Sequence, residues 1–247
     1  MSEIFTTIFY QPIVNLLVFL YNYLSFSDIG IAIILLTLII KLILWPLNSS
    51  SIKSQKSLQD LQPKLDKLKE QYKDDKVGLS QATMNLYKEH KINPFSSCLP
   101  LLIQLPFLFA VFRVFRDGVN THLDLVYSFI SNPGSIDMIS LGLVDLSQPN
   151  VYLAVLAGLA QFWQSKMMLA KKPPIKTQGA KDENMAAIMS KQMMYVMPII
   201  TIIIGVKLPG GLTLYWFVLT LFTALQQVII FKAVNKKSEI IEGEIVK

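Results

Sequence analysis

Apolar residues are concentrated in five long runs that polar segments separate. The five runs cover residues 29–47, 93–116, 151–166, 192–207 and 208–231. A helix that crosses a bilayer needs about 20 predominantly apolar residues, so the pattern predicts five transmembrane helices. The fourth run is short, but Pro209, Gly210 and Gly211 follow it as a turn signal before the fifth. These two runs therefore predict a tight helical hairpin.

The segment before the first run, residues 1–28, has a weaker apolar pattern. Ile13, Leu16, Leu17 and Leu20 fall on one face of a helix. The pattern predicts an amphipathic helix that lies in the membrane interface and leads into the first span. A sixth transmembrane span is the alternative interpretation. A signal peptide is excluded by the missing basic n-region, because the first positive residue of the chain is Lys41.

Segment 48–92 is polar, yet it carries a regular apolar stripe. The stripe repeats at spacings of 3 and 4, as in helices that pack along a seam. Its members are Leu58, Leu61, Leu65, Leu68 and Tyr72. Residues 74–78 break the pattern, and a second helical stripe follows them. The segment predicts an antiparallel helical hairpin, with a solvated spacer as the alternative.

The composition agrees with a membrane protein. Of the 247 residues, 52% are hydrophobic and only 16% are charged, and the mean hydropathy is +0.45. Soluble domains carry about 25% charged residues, so an ordinary soluble protein and a disordered chain are both excluded. The net charge of +6 comes mainly from lysine, which is a poor bidentate phosphate ligand, and direct nucleic-acid binding is not expected.

The distribution of lysine and arginine predicts the orientation of the spans. Segment 48–92 holds nine lysines, and segment 166–191 holds six, whereas the loop 117–150 has four aspartates and no basic residue. Basic loops remain in the cytoplasm. The N-terminus and the loop 117–150 are therefore predicted to lie outside. The hairpin, the loop 167–191 and the tail 232–247 are predicted to be cytoplasmic.

Lys41 is the one charged residue inside the first run. At 1.5 Å per residue it lies roughly 18 Å from the outer end of this span and about 9 Å from the inner end. A charge at that depth is costly unless it faces protein or water, although a lysine near the interface can also snorkel. Polar side chains also occur in the other spans and, like Thr37, can line a wet groove or form interhelical hydrogen bonds. They include Gln104, Gln161, Gln164 and Tyr215.

Several stretches resemble the YidC/Oxa1/Alb3 membrane protein insertases, in the same order and spacing over nearly the whole chain. They are residues 30–37 leading to Lys41, 61–65, 93–94 with 98–106, and 208–216. The resemblance implies an all-α integral membrane protein with five transmembrane helices around a hydrophilic groove. It also implies a cytoplasmic helical hairpin between the first two spans. The 28 residues before the first run predict the compact bacterial form.

The resemblance implies a site as well. Lys41 occupies the groove position where the family usually has arginine, so the charge is kept and the bidentate fork is lost. Thr37 and Trp216 fall at positions that the family uses on the groove wall. The implied function is an insertase and chaperone that helps nascent apolar segments and their short polar tails into the bacterial plasma membrane.

No enzyme, metal or cofactor site is predicted, because the sequence has no phosphate-binding glycine motif and no ligand cluster. The implied partners are nascent membrane proteins and the bilayer, with the Sec translocon, the ribosome and the signal recognition machinery as further candidates. Two other functions remain open. One is a small transporter or channel with Lys41 as a substrate counter-ion, and the other is a structural tether that docks through the hairpin.

Overall fold

The computed structural model describes residues 3–73, 75–93, 96, 99–168 and 181–245, and these residues are mostly helical. The described helices are, in chain order, α1 (Glu3–Tyr23), α2 (Ile29–Ile43), α3 (Trp45–Gln71), α4 (Lys76–Glu89), α5 (Leu99–Asp117), α6 (Val151–Met168), α7 (Lys181–Gly205) and α8 (Gly210–Ile245). A 3₁₀ helix, Val119–Leu125, follows α5. Two short antiparallel strands, β1 (Ile139–Ser140) and β2 (Val144–Asp145), lie in the loop before α6.

Length and composition identify fewer candidate spans than the sequence pattern predicts. Within the described residues, α1 and the stretch Gly210–Asn235 of α8 are long and apolar enough to cross a membrane, and α2 with α3 makes a third if the pair is one span. The count of five therefore stays a prediction. The result for α1 fits the sixth span that the sequence left open as an alternative to the interfacial helix.

Some of the sequence predictions fall outside the described residues. These are parts of the predicted second span at positions 94, 95, 97 and 98, and positions 169–180 of the predicted cytoplasmic loop. Two described helices extend past the predicted boundaries. Helix α7 begins at Lys181, within the predicted loop, and α8 continues through the predicted tail to Ile245.

The chain divides into two compact units. The first unit consists of Met1–Trp45, Leu101–Gln161 and Pro198–Thr223. Its core is built from the apolar faces of α1, α2 and α5, which contribute the fully buried side chains of Val18, Ile33 and Val111. Close van der Waals packing of such side chains stabilises these helices against one another within the unit.

Polar residues of α1 hold the loop that follows α5. The Asn15 side chain donates to the Leu125 carbonyl at 2.9 Å and accepts from the Tyr127 amide at 2.6 Å. About two helical turns later, the Asn22 side chain donates to the Ser131 carbonyl at 2.6 Å. The loop therefore runs alongside α1, and the buried Asn15 amide is satisfied by backbone groups.

The same loop also pairs with the turn between α7 and α8. The amides of Gly210 and Gly211 donate to the carbonyls of Gln148 and Leu146 at 2.9 and 2.8 Å. A Cβ atom at Gly211 would lie 2.4 Å from the ring of Phe115, so only glycine fits this close approach. The start of α8 is thus fixed against both the loop and α5.

The second unit consists of Pro46–Pro100, Phe162–Met197 and Ala224–Lys247. Within it, α4 follows α3 after a short turn, and Lys64 Nζ of α3 lies 2.8 Å from Nε2 of His90, the residue after α4. Asp75 caps the start of α4 by accepting from the Gly78 amide at 2.8 Å. The cap fixes the point where the chain reverses.

Candidate functional site

Lys41 and Thr37 lie four residues apart on α2, and side chains at this spacing share one helix face. The exposed fraction is 4% for Lys41 and zero for Thr37. Helix α2 can begin where it does because Asp28 caps it, with its carboxylate accepting from the Ile31 amide at 2.9 Å. The cap fixes the residue at which α2 begins.

The ammonium of Lys41 is buried without a counter-charge. Among the residues that the structure describes, none forms a hydrogen bond or an ion pair with it. A buried, unpaired cation costs several kcal/mol in a dry interior, roughly the penalty that follows removal of one partner from a buried ion pair. Water or an acidic group beside Lys41 would lower this cost.

Thr37 contributes differently, because its hydroxyl is already satisfied. Thr37 Oγ1 donates to the Ile33 carbonyl of the same helix at 2.7 Å. Such back-bonding is usual for threonine within a helix. The side chain therefore offers a small and weakly polar surface beside Lys41, with no free donor.

Gln104 and Tyr215 are brought into direct contact. The Gln104 amide donates to the Tyr215 hydroxyl at 2.7 Å and so joins α5 to α8. The Tyr215 side chain is fully buried. Because the phenol has a hydrogen-bond partner, its burial leaves no unsatisfied hydroxyl. The bond therefore stabilises the packing of α5 against α8.

The remaining predicted site residues are more dispersed. Gln161 and Trp216 are half-buried and belong to the first unit, whereas the half-buried Gln164 belongs to the second. In the described part of the chain, no hydrogen bond links Lys41 or Thr37 to any of the other predicted groove residues. Lys41 is therefore a buried cation. That these residues share one groove stays a prediction.

The hairpin stripe shows a gradient of burial. Leu61 and Leu65 are buried, and Leu58, Leu68 and Tyr72 are half-buried. The last two line a cleft against α4, where Ala82 and Leu86 face them. The apolar stripe of α3 is therefore covered most completely near its middle.

The sequence did not single out a group of polar residues that the second unit buries. The group comprises Asn48, Ser51, Lys56, Gln226 and Gln227. Gln226 donates its amide to the Ser49 hydroxyl at 3.1 Å and thereby joins α8 to α3. The spacing of Asn48, Ser51 and Gln55 along one helix face was the available signal.

Lys56 is buried with a partner, in contrast to Lys41. It forms a salt bridge with Asp60 one turn later, and its ammonium lies 5.8 Å from the centre of the Phe231 ring. Both contacts stabilise a buried cation. Lysine and aspartate four residues apart on α3 were visible in the sequence, although burial was not.

Comparison with known proteins places the chain in a family. Residues 19–237 match the family model described as 60Kd inner membrane protein. The chain belongs to this family. No group of three or more histidine, cysteine, aspartate or glutamate side chains that could hold a metal occurs in the described ranges.

Proteins from several bacteria are similar to the chain. A protein of Fusobacterium nucleatum named membrane protein insertase YidC is 39% identical over 206 residues, which cover 83% of this chain and 87% of that protein. A protein of the same name from Citrifermentans bemidjiense is 34% identical over 91% of this chain. The chain spans only 37% of that longer relative.

A solved structure shares the fold. It is described as an active YidC insertase crystal structure with the first transmembrane domain resolved, and the TM-score is 0.58 at 26% sequence identity. The match covers 91% of this chain and 46% of the solved one. Family membership and fold therefore agree.

Proposed function

We propose that this protein is a membrane protein insertase whose buried lysine receives the polar tail of an incoming segment. The observation that carries the proposal is the ammonium of Lys41, which lies inside the apolar helix α2 and has no partner among the described residues, in a chain whose relatives are named insertases. A charge kept at such depth at a cost of several kcal/mol favours a functional role.

The energetics of insertion support this mechanism. A nascent segment of about 20 apolar residues gains free energy on entering lipid, at roughly 25 cal/mol per Å² of apolar surface buried. The polar tail that must cross with it is the obstacle. A hydrated groove around Lys41 lowers that barrier because it keeps the tail partly solvated, and the ammonium attracts acidic residues in the tail. No nucleotide is needed, because lipid burial supplies the driving force.

Contacts within the first unit support the proposed orientation. The loop 117–150 binds α1, the start of α2 and the turn before α8, so these parts lie at one end of the unit. This loop has no lysine or arginine, which favours the outside. Side-by-side packing of the polar loop with α1 also favours an interfacial position for α1 over a sixth span, since a spanning α1 would draw loop backbone into lipid.

The hairpin is proposed to be a cytoplasmic arm. Its lysines are numerous and its seam is packed, which fits a rigid arm. The proposed partners are nascent clients and the bilayer, and the Sec translocon, the ribosome and the signal recognition machinery are further proposals. The proposed location is the bacterial plasma membrane, with the N-terminus outside and the C-terminus in the cytoplasm.

The other two functions have less support. A transporter or channel would use Lys41 as a counter-ion, but the names of the relatives do not favour it. A tether would need no buried cation in its membrane part.

Reconstitution separates the three functions. The purified chain in liposomes is expected to insert an added client, with one apolar segment and a short acidic tail, so that the tail becomes protected from external protease. Empty liposomes serve as the control. Entrapped dye is expected to stay inside, whereas a channel would release it. No protection above that of empty liposomes would contradict the insertase and leave the tether.

A further inference from the structure

Three apolar side chains in the turns at the start of α2 are more than 70% exposed. Phe26 is 96% exposed, Leu141 is 71% exposed, and Leu143 is 85% exposed. Phe26 precedes α2, and the two leucines form the turn between β1 and β2. We call these three residues the outer apolar patch.

Asp28 joins the two turns that carry the patch. Its carboxylate accepts from the Ser140 hydroxyl at 2.8 Å and from the Leu141 amide, in addition to capping α2. Gly30 allows this approach, since a Cβ atom there would lie 2.1 Å from Ser140 Oγ. Leu141 is therefore held at Asp28, which lies two residues after Phe26 in the chain.

The Asp28 carboxylate is charged at neutral pH. Burial raises its pKa, but hydrogen bonds from Leu141, Ile31 and Ser140 outweigh burial and hold the pKa below its usual range. The three bonds are charge-assisted and thus stronger than neutral ones. The attachment of the turn to α2 is therefore persistent.

Three residues of these turns adopt an unfavourable backbone conformation. Phe26, Ser27 and Leu141 have φ angles of 54°, 61° and 52°, in the left-handed region that side chains other than glycine rarely adopt. Each such residue costs about 1 kcal/mol or more. Two of these three residues, Phe26 and Leu141, also expose a large apolar side chain. An apolar environment around these side chains would offset the cost of the backbone conformation and the cost of the exposure.

We propose that the outer apolar patch inserts into the outer leaflet of the bilayer, at the boundary between headgroups and acyl chains. The patch adjoins the first residue of α2, and the outer end of a spanning helix lies at that boundary. This inference rests on the orientation given under the proposed function.

Size favours lipid over a protein partner. Three side chains supply roughly 500 Å² of apolar surface at most. A stable protein–protein interface buries about 800 Å² on each partner. Insertion into lipid needs no such area, because every apolar side chain that enters contributes separately. By anchoring the outer end of α2, the patch would fix the depth of Lys41 below the outer surface.

Fluorescence in liposomes tests the insertion. In a Cys98→Ser background, Leu143→Cys is labelled with an environment-sensitive fluorophore, and Ser135→Cys, an exposed position in the same loop, is the matched control. Lipids with a nitroxide near the top of the acyl chain, present in both leaflets, are expected to quench the label at 143 at least about twofold more than at 135. Equal and weak quenching would overturn the proposal.

Two further arms distinguish the alternatives. Dilution of the protein in lipid should leave the emission at 143 unchanged, whereas a shift on dilution would show that a second copy covers the patch and would overturn the proposal. Asp28→Asn should reduce quenching at 143 and leave 135 unaffected. Because the quencher is in both leaflets, the result does not depend on orientation, and client insertion can be measured separately on the same vesicles.

Discussion

Lys41 is the residue on which the proposed function depends most. Lysine tolerates a partly wet, apolar surrounding better than a fixed carboxylate would, since its stem packs and its ammonium can hold up to three waters. Lys56 shows what the chain does with a buried lysine that serves structure, because it pairs with Asp60 and faces an aromatic ring. The described residues offer Lys41 no such partner, and the proposed function rests on this contrast.

Chemical labelling tests whether Lys41 faces water. In a Cys98→Ser background, Lys41→Cys is expected to react with small membrane-impermeant thiol reagents added from the cytoplasmic side. Thr37→Cys, one turn deeper, should react more slowly. Ile33→Cys, in the apolar core of the first unit, is the control and should be silent. Silence at 41 and 37 alike would place α2 against lipid or dry protein.

The contact between Gln104 and Tyr215 should contribute to stability. Tyr215→Phe removes the acceptor of the Gln104 amide and should cost about 1 kcal/mol, which lowers the midpoint of thermal unfolding by about 2–4 °C for a chain of this size. Tyr152→Phe is the same chemical change at a side chain that is 82% exposed. Equal midpoints for the two variants would show that this hydrogen bond is not maintained in the membrane.

At the scale of elements, the hairpin offers the sharpest test. Leu61→Asp places a carboxylate in the buried middle of the α3 stripe, at a cost of about 3 kcal/mol. The hairpin should then open, and added protease should cut segment 48–92 roughly tenfold faster or more. Client insertion should fall while the spans remain in the membrane.

Ser80→Asp is the matched control for the hairpin. It adds the same charge at an exposed position of α4, and proteolysis and insertion should remain as in the unmodified chain. If Leu61→Asp opens the hairpin and insertion continues normally, the packed seam is dispensable for function.

The elements differ in how far the sequence could predict them. The apolar stripe of α3 and the inward face of α2 follow helical periodicity, so Leu61, Leu65 and Lys41 could be expected to face inward. The bond between Gln104 and Tyr215 could not be predicted, because it depends on which helices are neighbours and at what height. Asp28 could be expected to cap α2, but its link to Ser140 joins residues more than 100 positions apart.

Across the whole molecule, lysine and arginine are unevenly distributed among the segments between the apolar runs. The loop 117–150 contacts α1, α2 and the start of α8 within the first unit, and the lysine-rich hairpin belongs to the second. Such an asymmetry fits one orientation in a membrane with a cytoplasmic positive side. The orientation determines from which side an acidic tail would reach Lys41.

Sided labelling tests the orientation. In a Cys98→Ser background, Ser135→Cys should react with an impermeant thiol reagent only from outside the cell. Gln81→Cys, at an exposed position of α4, should react only from the cytoplasm. Reaction of position 135 from the cytoplasmic side would overturn the five-span arrangement.

Whether Lys41 attracts the acidic tail of a client is tested by varying the charge at position 41 and the charge of the tail together. In liposomes, Lys41→Arg should retain most insertion. Lys41→Ala should slow acidic-tailed clients about fivefold, since a partly hydrated charge pair is worth about 1 kcal/mol, and should affect neutral-tailed clients less. Lys41→Glu should be the slowest with acidic tails, because like charges repel. Unchanged insertion of acidic-tailed clients by Lys41→Ala and Lys41→Glu would contradict the account.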